Sequence, residues 1–204
     1  FFYLKNNPKD PKTLSENRIY ALCTSRDGTI WIGTNGGGLN QYDPQTGNVI
    51  AHYMHDPADP SSLACNTVVS LYESPEGTLY AGCWQTERGA FCRFVPESRT
   101  FRRYPHEPNR PDGLHCTVAR TIIKDCAGKI WIGTDGSGIN IFDPATETFE
   151  HVKPNTPVDG GLMDRDVRCF LEDHQKTMWF GTDSSGLFWF DRARNRIVKF
   201  HDPS

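Results

Sequence analysis

Carboxylates recur along this sequence where general acid–base chemistry could draw on them. Asp43, Asp143 and Asp191 occupy equivalent positions, and Asp27 matches Glu76. Hydrolysis or elimination on a sugar by two carboxyl groups needs one pair held at a set separation. A carboxylate repeated at the same place in successive segments is instead distributed over as many places, and Asp is a residue that stabilises turns through its own backbone. No acidic pair stands apart from this repetition, although a pair assembled from different segments stays open. Seven cysteines (Cys23, Cys65, Cys83, Cys92, Cys116, Cys126, Cys169) are scattered without a Cys-x-x-Cys spacing, so zinc ligation has no pattern to rest on. Cys83 and Cys92 fall in strands expected to pair and are the better candidates for a disulfide. Most of the thiols are expected to be buried and free, as small apolar residues. His52 and His55 read as surface residues. The expectation is therefore no catalytic residue, no metal and no cofactor.

The departures from repetition carry more. The stretch Trp84-Gln85-Thr86-Glu87-Arg88 contains an insertion of three residues between the second and third strands of its segment. An exposed loop tryptophan can stack on a sugar ring; the competing expectation is that Trp84 packs on a neighbouring segment. Arg120 and Arg168 stand where the first two segments have Tyr20 and Val69. Two guanidinium groups at equivalent innermost positions could attract an anion, or could pair with nearby carboxylates. Trp84, Arg88, His115, Arg120, Arg165 and Arg168 form the candidate ligand-binding set, with Trp84 the aromatic contact.

What positions them is a fourfold repeat. The segments Ile30-Trp31-Ile32-Gly33-Thr34, Leu79-Tyr80-Ala81-Gly82-Cys83, Ile130-Trp131-Ile132-Gly133-Thr134 and Met178-Trp179-Phe180-Gly181-Thr182 align, the aromatics being 49, 51 and 48 residues apart. A leucine stands 17 positions before each aromatic: Leu14, Leu63, Leu114 and Leu162. An apolar residue follows at Val49, Phe149 and Ile197, 18 positions on, and at Phe101 in the copy with the insertion. Each unit reads as four short strands. In the first, Arg18–Thr24 is followed by an Asp27-Gly28 turn, a strong hairpin signal, then Ile30–Thr34. Gly36-Gly37-Gly38, Leu39–Tyr42, the Asp43-Pro44 turn and Asn48–Tyr53 complete it. Four antiparallel strands in about 50 residues make a β-propeller blade. Gly33 and its equivalents are expected where a backbone or an aromatic ring approaches closely, and the aromatic two residues earlier fills the space between blades. No helical period is sustained.

The expected fold is thus all-β, a partial β-propeller over residues 1–204. It comprises the end of a preceding blade (1–13) and four blades at 14–62, 63–113, 114–161 and 162–204. Phe1-Phe2-Tyr3-Leu4 reads as the outer strand of that preceding blade, neither an initiator Met nor a signal peptide. Four blades leave two apolar faces open, so the remaining blades of a larger ring, or self-association, should cover them. The net charge of −3 comes without a basic run, which disfavours nucleic acid and anionic membrane surfaces, and no apolar run suits a bilayer span.

The pattern D-x-x-G-x-[IL]-W-[IF]-G-T, kept most fully by Asp125-Cys126-Ala127-Gly128 onward, with lead-ins such as Asp56-Pro57-Ala58-Asp59-Pro60-Ser61-Ser62-Leu63, resembles the two-component regulator propeller repeat. The resemblance implies a seven-bladed propeller, often one of a tandem pair. It also implies the periplasmic sensor region of a bacterial hybrid two-component system, coupled to a transmembrane histidine kinase. The partners it implies are an oligosaccharide ligand, the other propeller of the same protein, and a second copy of the whole sensor in a homodimer. The sialidase Asp-box needs a residue between Asp27 and Gly28 that is missing, and no Trp-Asp dipeptide marks a WD repeat. A non-covalent sensor is expected; a propeller lyase or hydrolase, or an interaction scaffold, are the alternatives.

Overall fold

The computed structural model describes residues 3–84, 90–152 and 166–200. It holds four four-stranded antiparallel sheets, each in plain sequence order from inner to outer strand. The first is β1 (Ile19–Thr24), β2 (Ile30–Thr34), β3 (Leu39–Asp43) and β4 (Asn48–Tyr53); the second is β5 (Val68–Glu73), β6 (Leu79–Cys83), β7 (Phe91–Val95) and β8 (Thr100–Tyr104). The third is β9 (Ala119–Lys124), β10 (Ile130–Thr134), β11 (Ile139–Asp143) and β12 (Thr148–Val152); the fourth is β13 (Val167–Glu172), β14 (Met178–Thr182), β15 (Leu187–Asp191) and β16 (Arg196–Lys199). The expected β-propeller blades are present, and no helix occurs among the described residues. The chain divides into two compact units, Phe1–Pro105 and His106–Ser204, with two blades in each.

Local chemistry explains each turn. Gly28, Gly77 and Gly128 reverse the chain between first and second strands with φ of 86°, 89° and 86°, a region open to glycine at little cost. Lys176 holds the matching place in the last blade at φ 66°. The turn carboxylates support backbone, as their repetition implied. Asp43 Oδ1 accepts the Gln45 amide at 2.9 Å and Asp143 Oδ1 the Ala145 amide at 2.9 Å. Asp191 Oδ1 accepts the Arg194 amide at 3.2 Å.

The lead-ins are part of the scaffold. Leu14, Leu63 and Leu114 are at most 2% exposed, and each lead-in is tied to the outer strand of its own blade. Val49, Phe101 and Phe149 donate their amides to Lys12, Ser61 and Asp112 carbonyls at 2.8, 2.7 and 2.9 Å. Arg103 on β8 further clamps Met54–Leu63, donating to the Ser62 and Asp59 carbonyls at 2.7 Å. Residues 3–13 run along their blade in the same way and form no strand; Phe1 and Phe2 lie outside the described residues. A strand there would need partner strands that this chain does not supply.

Blades pack through an aromatic and a glycine. In the first unit Trp31 meets Phe94 of the next blade edge-on at 5.1 Å. In the second, Trp131 meets Phe190 at 5.1 Å. Two residues along, the glycine lets the next inner strand come in. A Cβ on Gly33 would sit 2.8 Å from both the Val68 carbonyl oxygen and its Cγ1, and one on Gly133 would sit 2.8 Å from Val167 Cγ1. The intruder is thus a valine and its backbone rather than an aromatic ring. Where no further blade follows, Gly181 meets only Cys169 Sγ at 3.0 Å. The outward face of that last blade exposes Leu171, Leu187 and Phe200 around an apolar crevice of about 420 Å³. On the first blade Ile19, Tyr20 and Leu22 are exposed.

All seven cysteines are free, with Cys65, Cys83, Cys92 and Cys116 buried. Cys83 and Cys92 do not pair; the register sets Cys92 opposite Ala81 instead. Burial pushes the Cys116 thiol up to about 12, as expected for an unreactive core thiol. Two outcomes follow. Denatured protein prepared without reductant should titrate with five or more free thiols of the seven, the exposed Cys126 and Cys169 reacting first in the native state; a set of disulfides would overturn the assignment. Gly33→Ala should cost about 1–3 kcal/mol through overpacking against Val68, read from urea unfolding, and clearly more than Gly181→Ala.

Candidate functional site

The first strand of every blade carries a β-bulge one residue from its start, between Ile19 and Ala21, Val68 and Ser70, Ala119 and Thr121, and Val167 and Cys169. Bulges re-aim the side chain they carry. The bulged residues are Tyr20, Val69, Arg120 and Arg168, so the equivalence read from the sequence holds in the register.

Beside each bulge stands the residue that follows the second strand: Asn35, Trp84, Asp135 and Asp183. Its backbone is held identically in all four blades. The four amides donate to the carbonyls of Arg18, Thr67, Val118 and Asp166 at 2.9, 2.8, 3.3 and 3.0 Å. The side chain is free to differ, and does so in size and charge. Asn35 forms a bridge with Thr67, while Trp84 is 43% exposed. A fixed backbone presenting a variable side chain is the arrangement of a recognition surface on a rigid scaffold.

In the second unit these positions join the arginines in a chain of ion pairs. Arg120 grips Asp135 with two N–H groups, one Nε–Oδ1 contact measuring 3.1 Å. Arg168 reaches the same carboxylate through Nη1 at 3.3 Å and Asp183 through Nε at 2.9 Å. The hydrogen bond to Asp183 raises the Arg168 pKa further. Two guanidinium groups alternate with two carboxylates, so no net positive charge is left to draw an anion. What the row offers is a set of planar donors and acceptors, part-exposed, each ion pair worth under about 1 kcal/mol to the fold.

The remaining candidates divide. His115 is held inside the scaffold, its amide on Asn140 Oδ1 at 3.0 Å, its Nε2 on the Arg110 carbonyl at 3.0 Å and its ring stacked on His151 at 3.7 Å. Ser15 makes the matching amide contact to Asn40 in the first blade at 2.9 Å, so His115 fills a structural position. Arg88 and Arg165 lie outside the described residues. No group of three or more His, Cys, Asp or Glu suited to a metal occurs among the described residues.

One polar device escaped the sequence reading. Six residues before the tryptophan, Asp125 accepts the Ala127 and Lys129 amides through Oδ1, each at 2.9 Å, and the Trp131 indole N–H through Oδ2 at 2.8 Å. Asp173 does the same for Gln175, Thr177 and Trp179. A single carboxylate thus ties the hairpin turn to the core aromatic. The signal was present as the first Asp of D-x-x-G-x-[IL]-W; its absence at Ser25 and Ser74 was the part that mattered.

The two-component regulator propeller model matches residues 13–36 and 161–184. Those two repeats are of the two-component regulator propeller type. The likeness read from the motifs is therefore shown in the first and last blades, and solved structures extend the fold to nearly the whole chain. The extracellular domain of a hybrid two-component system from B. thetaiotaomicron is 24% identical over 97% of this chain, with a TM-score of 0.78. That of a second such system from the same organism is 20% identical over 94%, at 0.69. This chain covers 25% of each of those chains. Virginiamycin B lyase from Staphylococcus aureus is similar in fold at 16% identity and a TM-score of 0.64, over 91% of this chain and 56% of its own. No curated protein matches the chain.

The carboxylates respond to pH in one direction. Asp43 is held below the usual range by the Thr46 hydroxyl, Asp143 by Lys129, Asp173 by the Trp179 indole and Asp191 by Arg194. Each folded-state pKa lies below the ordinary 3.8. Their contribution is present above that value and lost as the pH falls through the lowered ones. Thermal midpoints should therefore drop steeply below about pH 4, and Asp173→Asn should flatten that drop. At neutral pH, Asp125→Ala, which strands the Trp131 indole and leaves Arg192 with Glu172 alone, should cost about 2–4 kcal/mol, whereas Ser25→Ala should change little.

Proposed function

We propose that this chain is part of the ligand-sensing propeller of a two-component sensor and that it recognises an oligosaccharide without covalent chemistry. The observation that carries this reading is the residue after each second strand: one backbone geometry presenting Asn, Trp, Asp and Asp in turn. An enzyme would need a unique reactive constellation, and the repeated carboxylates Asp43, Asp125, Asp143, Asp173 and Asp191 are instead committed to turns, indoles and arginines. In the second unit the neutral Arg120–Asp135–Arg168–Asp183 row suits the hydroxyls of a sugar better than a bare anion. In the first, Trp84 supplies a face for a pyranose ring. Arg88 and Arg165 remain part of the proposed set by their place in the repeat, whereas His115 acts by holding its loop.

The extracellular placement of the similar domains supports a periplasmic location for the sensor, with histidine kinase activity carried by other parts of the protein. No helix among the described residues is long and apolar enough to cross a membrane. The exposed Leu171, Leu187 and Phe200 would take the following blade, and Ile19, Tyr20 and Leu22 the preceding one. A homodimer of the whole sensor would transmit the signal.

Calorimetry of the intact sensor against a panel of oligosaccharides tests the proposal. Trp84→Ala should weaken binding by about 1 kcal/mol or more if the ring is an anchor, and Arg120→Ala should weaken it as well. If both bind and signal like wild type while changes among the Asp43-type turns abolish binding, the recognition surface is misassigned.

A further inference from the structure

At the end of the sheets away from Trp84, the first unit contains a crevice of about 590 Å³ between its two blades. That volume is within the range of small-molecule sites. Trp31, Tyr53 and Phe94 form its aromatic wall, and Ser25, Arg26, Asp27, Glu73, Pro96 and Arg99 are among the residues that line the rest. Trp31 is 3% exposed, and its indole Nε1 is buried without a hydrogen-bond partner. An unmade hydrogen bond at a buried donor costs about 1–3 kcal/mol, so the group calls for an acceptor.

The second unit shows what normally meets this need. There Asp125 accepts from the Trp131 indole at 2.8 Å. Arg192 then extends from the fourth blade to Asp125 at 3.0 Å and to Glu172 at 3.2 Å, over the Trp131 ring at 5.8 Å. The register carries both positions to the first unit unambiguously. Asp125 corresponds to Ser25, and Arg192, two residues after Phe190, corresponds to Pro96, two after Phe94. The carboxylate and the guanidinium that occupy this place in the second unit are both replaced, and the crevice is what remains.

Its charges point to the missing group. The crevice carboxylates are engaged by the first blade's hairpin turn: Asp27 Oδ1 accepts from the Thr29 amide at 2.9 Å, and Glu73, from the neighbouring blade, accepts through Oε1 from the Arg26 amide at 2.8 Å. Among the described residues neither Arg26 nor Arg99 forms an ion pair; the Arg99 guanidinium donates only to the Tyr53 hydroxyl, at 3.1 Å through Nε and through Nη2. An indole N–H without an acceptor is thus buried beside a space lined by two guanidinium groups that form no ion pair, although Asp27 and Glu73 stand on the same walls.

We propose that this crevice binds a small carboxylate carried on a ring, the carboxylate taking the place that Asp125 holds in the second unit and the ring lying against Trp31, Tyr53 and Phe94. The indole Nε1 is covered, so the ligand reaches it by turning aside a wall side chain; Ser25, with one hydroxyl, stands where the acceptor belongs. This site is independent of the oligosaccharide surface at the other end of the blades.

The test follows the Trp31 indole N–H by nitrogen–proton correlation spectra of the whole chain, assigned by Trp31→Phe. D-Glucuronate and phenylacetate are the probes, with D-glucose and phenylacetamide as their neutral counterparts. The carboxylate that binds distinguishes a sugar acid from an aromatic one. It should move the Trp31 signal in a saturable way, with the neutral counterpart at least about tenfold weaker. Ser25→Asp places in the first blade the residue found in the third and fourth, so it should fold, shift the Trp31 signal without ligand and abolish the response to the probe. Arg99→Gln should weaken binding while leaving the ligand-free Trp31 signal in place. If neither acid moves the signal, if the neutral compounds act equally, or if Ser25→Asp still responds, the crevice holds only water and the proposal fails. Unchanged oligosaccharide binding by Ser25→Asp keeps that result separate from the fate of the Trp84 surface.

Discussion

The close approach of one blade's inner strand to the next blade's second strand sets the terms for everything else in this chain. It depends on a glycine with no Cβ, beside which Val68 packs on Gly33 and Val167 on Gly133. That approach brings the aromatic two residues earlier into contact with Phe94 or Phe190. A large ring and a missing side chain on the same face of one strand thus produce both the bulk and the gap that neighbouring sheets need. The indole then introduces a polar group into a dry interface, and burying a donor is costly unless it is paired. Asp125 and Asp173 resolve that cost by joining the indole to the hairpin turn.

The recognition surface proposed for this scaffold lies where the packing does not dictate the residue. Strands, turn carboxylates and lead-in leucines are all committed to holding the blades. Even the lead-ins, variable in sequence, are pinned by Arg103 and by amide bonds to the outer strands. The unconstrained positions are those on the bulge and directly after the second strand, where the backbone is fixed from both sides. Trp84 and the Arg120–Asp135–Arg168–Asp183 row stand there. At the other end of the blades, Ser25 and Pro96 stand where the second unit has Asp125 and Arg192, and a second kind of space opens.

The repeat spacing, the Asp-Gly turn and the alternation of apolar residues were enough to state the all-β fold, the blade and the strand limits to within a residue or two. Those features are local: a turn dihedral or a two-residue period is written in neighbouring residues. The equivalence of Arg120 with Arg168 followed from the same spacing. Their partners did not, because Asp135 lies across a hairpin from one arginine and on a neighbouring blade from the other. His115 looked available for a ligand because nothing adjacent in sequence shows that Asn140 and His151 hold it.

By itself the sequence determined the architecture, the repetition that assigns most carboxylates to turns, and the positions at which one blade differs from another. Tertiary structure alone decided which charges neutralise each other, and that the lead-in before the first blade is tied to that blade's outer strand by the Val49–Lys12 hydrogen bond. It also decided which tryptophan is left without an acceptor. The physical reason is that turn and strand preferences act between neighbours along the chain. Ion pairing, burial and the satisfaction of a buried N–H act between residues that only packing brings together, as Arg192 and Asp125 are, 67 residues apart.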